Sequence, residues 1–310
     1  MVEYMLQRGK KNVEQFILYG SNYAKDLLVS IGREIEQKGN YKIKIITWSD
    51  LEFIYDKYLL AETEFNKKRT MFIYVREPIE NYHDLIRTNH DSALIREKYK
   101  QWIYWSNQIK YEYALIAQID YPSIYRGRYN LSNRNLQKDF VCACTCNYQK
   151  MFSDMLLLYN RLRGKKRVDV FFDKHSHIWF FTNKLNFTSD MFWEDGCEIV
   201  FPCGEVYWGI QHINTMNGTF CSRDYGKVYI VNGIIKNVDS KKMKEYIDGR
   251  IVEFGIGINK QANEYSYVSL AEKSKKAVHI GITKKNQANN EHIDLISKKY
   301  YLYADYEKIK

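Results

Sequence analysis

Five residues in the C-terminal half of the 310-residue chain carry side chains that divalent metals prefer. His292 and Asp294 stand two positions apart, so on a β-strand both would project from the same face. His279 interrupts an apolar run, and Glu205 and Glu253 each adjoin apolar residues and glycine. Imidazole nitrogen and carboxylate oxygen bind zinc, cobalt, manganese and iron. Taken singly, each also fits a plainer role: a surface pair, a hydrogen-bonded core histidine, or an exposed glutamate at a strand end.

Other polar and thiol-bearing segments are weaker candidates. Cys142, Cys144 and Cys146 alternate, so on a strand they would share one face, either as small buried residues or as a soft-metal site. His175 and His177 have the same spacing, although a polar turn between two strands is the favoured interpretation. No Gly-x-x-x-x-Gly-Lys-Ser/Thr loop for phosphate occurs. The acids and histidines of the C-terminal half therefore carry the main hypothesis.

Four segments resemble, in the same order, motifs of the aminopeptidase T family of metallopeptidases. Phe201–Tyr207 resembles the family's Leu-Pro-Ser-Gly-Glu-Val-Phe, and Val252–Asn259 resembles its second glutamate motif. Glu272-Lys273 with Val278–Gly281, and then Glu291–Asp294, resemble its closing segments. The resemblance covers roughly residues 45 to 305 and implies a pair of divalent ions, Zn, Co or Mn. The ligands that it implies are Glu205, Glu253, His279, His292 and Asp294.

The same resemblance implies a homodimer that removes an N-terminal residue from a peptide. Glu272 is the candidate proton carrier, and Lys273 is the candidate partner of a substrate carboxylate or an oxyanion. An exposed Glu-Lys pair explains these two residues equally well. Asn286 stands where the family has a tyrosine, and only twelve residues separate His279 from His292. The expectation is therefore a slow or narrowly specific peptidase, or one that tailors a single peptide.

Two other hypotheses use the same residues. Some proteins that resemble this family hold one Fe(II) with two histidines and an aspartate, and open a dihydroxypyridine ring with O₂. His279, His292 and Asp294 would form that triad. Tyr207 and Trp208 would be its aromatic walls, or else core residues. The third hypothesis is a non-catalytic binding or scaffold protein. The presence of two glutamates besides the triad favours the two-metal hydrolase.

Hydrophobic spacing predicts alternating helices and strands in the first part of the chain. We expect helices over 13–37 and 49–66, and a charged helical connection over 80–111. Strands are predicted over 41–47, 71–75 and 113–119. This order is typical of a small α/β domain with parallel strand pairing.

The pattern changes after a predicted helix over 147–163. Short strand-like runs follow at 167–172, 177–181, 198–201, 219–221, 227–231 and 233–235. Asn232-Gly233 between two apolar runs predicts a hairpin. We therefore expect an α/β (α+β) fold, with a small N-terminal α/β domain over 1–110 and a β-rich mixed α/β metal-binding catalytic domain over 111–310.

Composition limits the partners. The formal net charge is +10, but lysines are mixed with acids along the whole chain, so no nucleic-acid partner is predicted. No apolar run of about 18 residues occurs, so no membrane span is expected. The first residues, Met1–Asn12, lack an apolar signal core, and no Cys-x-x-Cys pair occurs. We expect a cytoplasmic homodimer whose partner is a peptide or small-molecule substrate.

Overall fold

The computed structural model describes residues 1–8, 13–48, 67–76, 115–122, 133–182, 187–191, 198–209, 213–287 and 292–310. It confirms the predicted α/β class, because helices accompany both parallel and antiparallel sheets. The chain divides into two compact units, Met1–Cys144 with Trp193–Pro202, and Thr145–Phe192 with Cys203–Lys310. The predicted domain boundary at residue 110 lies outside the described residues, as do the helices predicted over 49–66 and 80–111.

The elements follow in chain order. The α-helices are α1 (Val2–Arg8), α2 (Lys25–Lys38), α3 (Asn133–Cys144), α4 (Tyr148–Leu162) and α5 (Val268–Ala271). The strands are β1 (Gln15–Ser21), β2 (Lys42–Trp48), β3 (Thr70–Arg76), β4 (Leu115–Asp120), β5 (Arg167–Phe171), β6 (His177–Phe181), β7 (Thr188–Ser189), β8 (Glu198–Phe201), β9 (Glu205–Gly209), β10 (Asn217–Ser222), β11 (Gly226–Val231), β12 (Ile234–Val238), β13 (Ile251–Gly257), β14 (Ala277–Ile282), β15 (Ile293–Lys298), β16 (Tyr301–Ala304) and β17 (Glu307–Lys308). Short 3₁₀ turns lie at Asn22–Ala24, Lys67–Arg69 and Lys241–Tyr246.

The first unit holds a parallel five-stranded sheet in the order β2-β1-β3-β4-β8. The predicted parallel pairing is confirmed, but the helix predicted over 13–37 is wrong over its first part, which is strand β1. Phe16, Ile17 and Leu18 are all buried, and because successive side chains of a strand point to opposite faces, both faces of β1 are covered. A strand covered on both faces has a continuous apolar run, which hydrophobic spacing does not distinguish from a buried helix. The rest of that prediction is confirmed by α2.

Strand β8 belongs to the first unit, although its sequence was assigned to the β-rich second part. It pairs in parallel with β4, with Ile116 opposite Glu198. The chain therefore returns to the first sheet immediately before Glu205, the first candidate metal ligand. Sequence order alone misassigned this strand, because its pairing partner lies far upstream.

The Cys142, Cys144 and Cys146 segment is helical, so its predicted strand face is wrong. Cys142 and Cys144 lie in α3, and Cys146 follows the end of that helix. Leu136 and Phe140 are buried one turn apart, which is helical spacing. Residues two apart on a helix point in nearly opposite directions, so the soft-metal interpretation loses its geometric basis.

The second unit contains two antiparallel sheets, one in the order β12-β11-β10-β6-β5-β16-β17 and one in the order β15-β14-β13-β9-β7. The predicted hairpin between β11 and β12 is confirmed, with positive φ at both Asn232 (49°) and Gly233 (70°). The sheets pack through aromatic rings: Phe180 on β6 lies 5.8 Å from Trp208 and 5.2 Å from Phe254. Trp208 is therefore a core residue and not a wall of the candidate site.

None of the helices in the described part of the chain is long and apolar enough to cross a membrane.

Candidate metal centre

The predicted ligands lie on one face of the sheet β15-β14-β13-β9-β7, opposite the face that carries Trp208. Glu253 on β13 is paired with Gly281 on β14, and Gly281 is paired with Asp294 on β15. Paired residues in a sheet project to the same side, and so does His279, two positions before Gly281. His292 directly precedes β15, and its Nε2 lies 3.6 Å from Asp294 Oδ1. This short distance confirms the prediction that the side chains of His292 and Asp294 lie on the same side.

Glu205 joins this face from the neighbouring strand. It is the first residue of β9 and is paired with Gly257, four positions after Glu253 on β13. Tyr207 projects to the same side, paired with Gly255. The five residues proposed as ligands therefore come from four segments that converge on one sheet face.

Glycines leave the room that the ligands occupy. A Cβ atom on Gly255 would lie 2.5 Å from His279 Nε2 and 2.8 Å from its Nδ1, so the imidazole ring covers this glycine. A Cβ atom on Gly281 would lie 2.8 Å from His292 Cδ2 and 3.0 Å from Glu253 Cβ. The alternation of glycine with acid or histidine thus lets large polar side chains stand side by side.

Glu253 stands at the middle of the cluster. Its Oε1 lies 3.1 Å from His279 Nε2, and its Oε2 lies 3.9 Å from His292 Nε2. His279 Nε2 also lies 3.7 Å from Glu205 Oε2. Two ligand atoms bound at 2.0–2.2 Å to one tetrahedral ion are about 3.3–3.6 Å apart. The observed separations lie close to those that a shared ion requires.

The predicted pair Glu272 and Lys273 also belongs to this cluster. Helix α5, which precedes the pair, packs on the same sheet face, with Val268 and Ala271 against Ala277. Possible ligand atoms of Glu272, Glu205 and His279 lie within 4.8 Å of one another. Glu272 is therefore close enough to act on the same centre.

The Lys273 ammonium is buried among carboxylates. It donates a short hydrogen bond to Glu205 Oε1 and lies 3.0 Å from Glu272 Oε1 and 3.5 Å from Asp190 Oδ2. Its side chain is 5% exposed, so the interpretation as an exposed Glu-Lys pair is wrong. Three acids of the protein already surround this ammonium, which argues against the substrate-carboxylate role expected for Lys273.

Asp190 was missed by the sequence analysis. It lies after the two-residue strand β7, outside every recognised motif, and its carboxylate accepts N–H from Gly204 and Glu205. The Ser189-Asp190 pair resembles an ordinary turn, so no spacing signal in the sequence pointed to it. Only the pairing of β7 with β9 brings Asp190 to the centre.

Burial and charge shift the pKa values of the cluster. Burial raises the pKa of Glu205 to about 7 and that of Asp294 to about 6, against the lowering effects of Lys273 and His292 respectively. Burial also raises the pKa of Glu272. These shifts mark a site where negative charge is crowded away from water.

The two central residues shift toward their charged forms. Burial lowers the pKa of His279, but the hydrogen bond with Glu253 and the surrounding acids outweigh it and raise the pKa to about 10. Burial raises the pKa of Glu253, but the hydrogen bond and charge of His279 outweigh it and lower the pKa below its ordinary value. A proton on His279 thus supplies positive charge where a cation would supply it.

Three buried polar atoms of the cluster have no hydrogen-bond partner among the described residues: Glu205 Oε2, His279 Nδ1 and Asp294 Oδ1. Buried polar atoms are normally paired, because an unpaired one costs about 1–3 kcal/mol. Two of these atoms are carboxylate oxygens, which are suitable metal ligands. The donor set therefore fits the cations that the sequence implied.

Other candidate residues lie outside the cluster. Asn286 lies in an exposed turn with left-handed backbone (φ 62°), where asparagine is favoured. His175 lies in the turn between β5 and β6, as expected, and His177 stacks on Phe171 at 5.1 Å.

No protein-family model matches the sequence, and no curated protein matches it.

Proposed function

We propose that the chain is a two-metal, aminopeptidase-like hydrolase. The observation that carries the proposal is the convergence of Glu205, Glu253, His279, His292 and Asp294 on one sheet face, with Glu253 between the two histidines. The peptide substrate and the homodimer rest on the motif resemblance, and the cytoplasmic location rests on the cysteine pattern.

Charge supports two cations in this centre. Glu205, Glu253, Glu272, Asp294 and Asp190 supply five carboxylates, and Lys273 supplies one ammonium. With both imidazoles neutral, four negative charges of this group remain uncompensated. Two divalent cations carry the matching charge. Burying that many acids without compensation is strongly unfavourable.

Glu253 would take part in holding both cations, because its Oε1 faces His279 and its Oε2 faces His292. Glu205 and His279 would help to hold one cation, and His292 and Asp294 would help to hold the other. Ions held there would polarise a substrate carbonyl and lower the pKa of bound water.

Glu272 is the proton carrier in this proposal. Its buried carboxyl has a raised pKa, which suits a group that accepts a proton and returns it to a leaving amine near neutral pH. Lys273 is buried and contacts Glu272 and Glu205, so we assign it a positioning role. Its ammonium lies between the carboxylates of Glu205 and Glu272 and neutralises part of their negative charge.

Elemental analysis of protein purified without chelator tests the proposal. We expect about two Zn, Co or Mn per chain in the wild type, about one in His292→Ala, and close to none in Glu253→Ala. Glu245→Ala is the control, because Glu245 is half-exposed and pairs with Lys284 at 2.8 Å. Loaded protein should then release the N-terminal residue from aminoacyl anilides or short peptides.

Other outcomes would favour the other hypotheses. One iron per chain, lost in His292→Ala and kept in Glu205→Ala, would favour the Fe(II) oxygenase. Absence of metal after reconstitution would refute the centre and leave a scaffold protein. Two metals without peptidase activity would refute the substrate class alone.

A further inference from the structure

The backbone of Glu205 is held on both sides by two consecutive side chains. Asp190 Oδ1 accepts the N–H of Glu205 at 3.0 Å, and both Asp190 oxygens accept the N–H of Gly204, at 3.0 and 2.9 Å. Ser189 Oγ donates to the carbonyl oxygen of Glu205 at 2.6 Å. The peptide groups at the start of β9 are therefore fixed from both directions.

Gly204 makes this arrangement specific. Its φ of +123° lies in the region that favours glycine, and a Cβ atom there would lie 2.8 Å from Met151 Sδ and 2.8 Å from Asn259 Cβ. The chain thus enters β9 through a conformation that exposes two successive N–H groups to Asp190. The local structure is built to receive a carboxylate.

Lys273 extends the same contacts to the side chain of Glu205. Its ammonium lies 3.5 Å from Asp190 Oδ2 and donates to Glu205 Oε1. Oε1 is thereby occupied, whereas Oε2 has no hydrogen-bond partner among the residues that the structure describes and lies 3.7 Å from His279 Nε2. One oxygen of Glu205 is thus tied to the protein and the other is presented to the centre.

We propose that Asp190, with Ser189, is a positioning residue that makes Glu205 a ligand through Oε2 alone. This inference rests on the proposed metal centre. Asp190 fixes the peptide of Glu205 and also orients the Lys273 ammonium that occupies Oε1. Residues that orient metal ligands in this way typically change metal affinity about 10–100-fold when altered.

Cobalt titration followed by visible absorption tests the inference, because the band reports coordination geometry as well as affinity. We expect Asp190→Asn to bind Co²⁺ about 10–100-fold more weakly than the wild type. Its band should also weaken, since a released Glu205 can bind through both oxygens and raise the coordination number. Ser189→Ala keeps every charge and should weaken binding about fivefold, the effect of one lost hydrogen bond.

Asp305→Asn is a closely matched control. Asp305 accepts the N–H groups of Lys166 and Arg167 at 2.9–3.1 Å at the start of β5, as Asp190 does at the start of β9. It touches no proposed ligand, so its variant should bind cobalt like the wild type with an unchanged band.

The outcomes separate this inference from the proposed function. A wild type without any cobalt band would overturn the metal centre, and the role of Asp190 with it. If the wild type binds cobalt and the Asp190→Asn variant shows the same affinity and the same absorption band, only the role of Asp190 is overturned. Equal weakening in Asp190→Asn and Asp305→Asn would show a general structural effect and would also overturn it. If Asp190→Asn does not fold, an unchanged affinity in Ser189→Ala decides against the inference.

Discussion

The glycine beneath the His279 imidazole offers a sharp test of the metal centre. We predict that Gly255→Ala abolishes tight metal binding at the His279 position. The backbone of Gly255 lies outside the left-handed region, so alanine is acceptable to the main chain there. The effect of the added methyl group must therefore come through the ring that covers it.

The magnitude follows from the distances. A Cβ atom would lie 2.5 Å from His279 Nε2, whereas non-bonded atoms prefer about 3.5–4.0 Å. The ring must move by on the order of 1 Å, and metal–ligand bonds tolerate only about 0.2 Å. We expect metal affinity to fall more than about 100-fold, beyond the usual effect of losing a ligand's hydrogen-bond partner. Overpacking should cost about 1–3 kcal/mol of stability.

Gly209→Ala is the matched control for this measurement. Gly209 lies on the same sheet face, paired with Glu253, but a Cβ atom there would have no neighbour within 4 Å in the described part of the chain. Zinc competition titration should show wild-type affinity in Gly209→Ala and a lost site in Gly255→Ala. Tight, full-stoichiometry binding in Gly255→Ala would refute the placement of His279 as a ligand.

Three further predictions concern charge. The pKa values of Glu205 (about 7), Asp294 (about 6) and His279 (about 10) are raised, so the metal-free folded protein binds protons more tightly than the unfolded chain. Calorimetry in the presence of chelator should therefore show the thermal midpoint falling as pH rises from 5 to 9. A flat or rising profile would contradict this. Lys273→Met should destabilise the metal-free protein by about 3–5 kcal/mol in urea unfolding, with a smaller loss in the metal-loaded protein; equal losses would contradict the charge argument. Isothermal titration should resolve two unequal steps, of which only the weaker disappears in His292→Ala; loss of both steps would contradict two separate positions.

The set of candidate ligands came from the motif resemblance, and strand alternation in the sequence agrees with the side of the sheet that these residues take. Glu253, Gly255 and Gly257 alternate with the apolar residues that face the core, and His279 and Gly281 repeat the pattern on β14. Alternation fixes which side a residue takes. It does not fix which strands become neighbours, so convergence of the segments was inferred from the motif resemblance and is seen only in the sheet order.

The failures have physical causes as well. The Phe16–Tyr19 run is apolar at every position, so no period distinguishes strand from helix. The alternation of Cys142 and Cys144 suggested a strand. The helical spacing of this segment is shown by the buried residues Leu136 and Phe140, which lie upstream of the cysteines. Asp190 reaches the cluster because strand β7, which precedes it, pairs with β9. A single aspartate in the sequence does not indicate which strands will pair.

The exposure of the cluster favours a catalytic over a purely structural role for the cations that we propose. The side chains of Glu205 and His279 are 8% and 1% exposed, whereas those of His292 and Asp294 are 26% and 21% exposed. Structural metal sites are closed by protein ligands, and catalytic sites keep a position open to water or substrate. In this centre the buried position anchors the cluster and the partly exposed one faces solvent. If the proposed cations are bound, we expect substrate on the His292 side, because the side chains there are more exposed than those of Glu205 and His279.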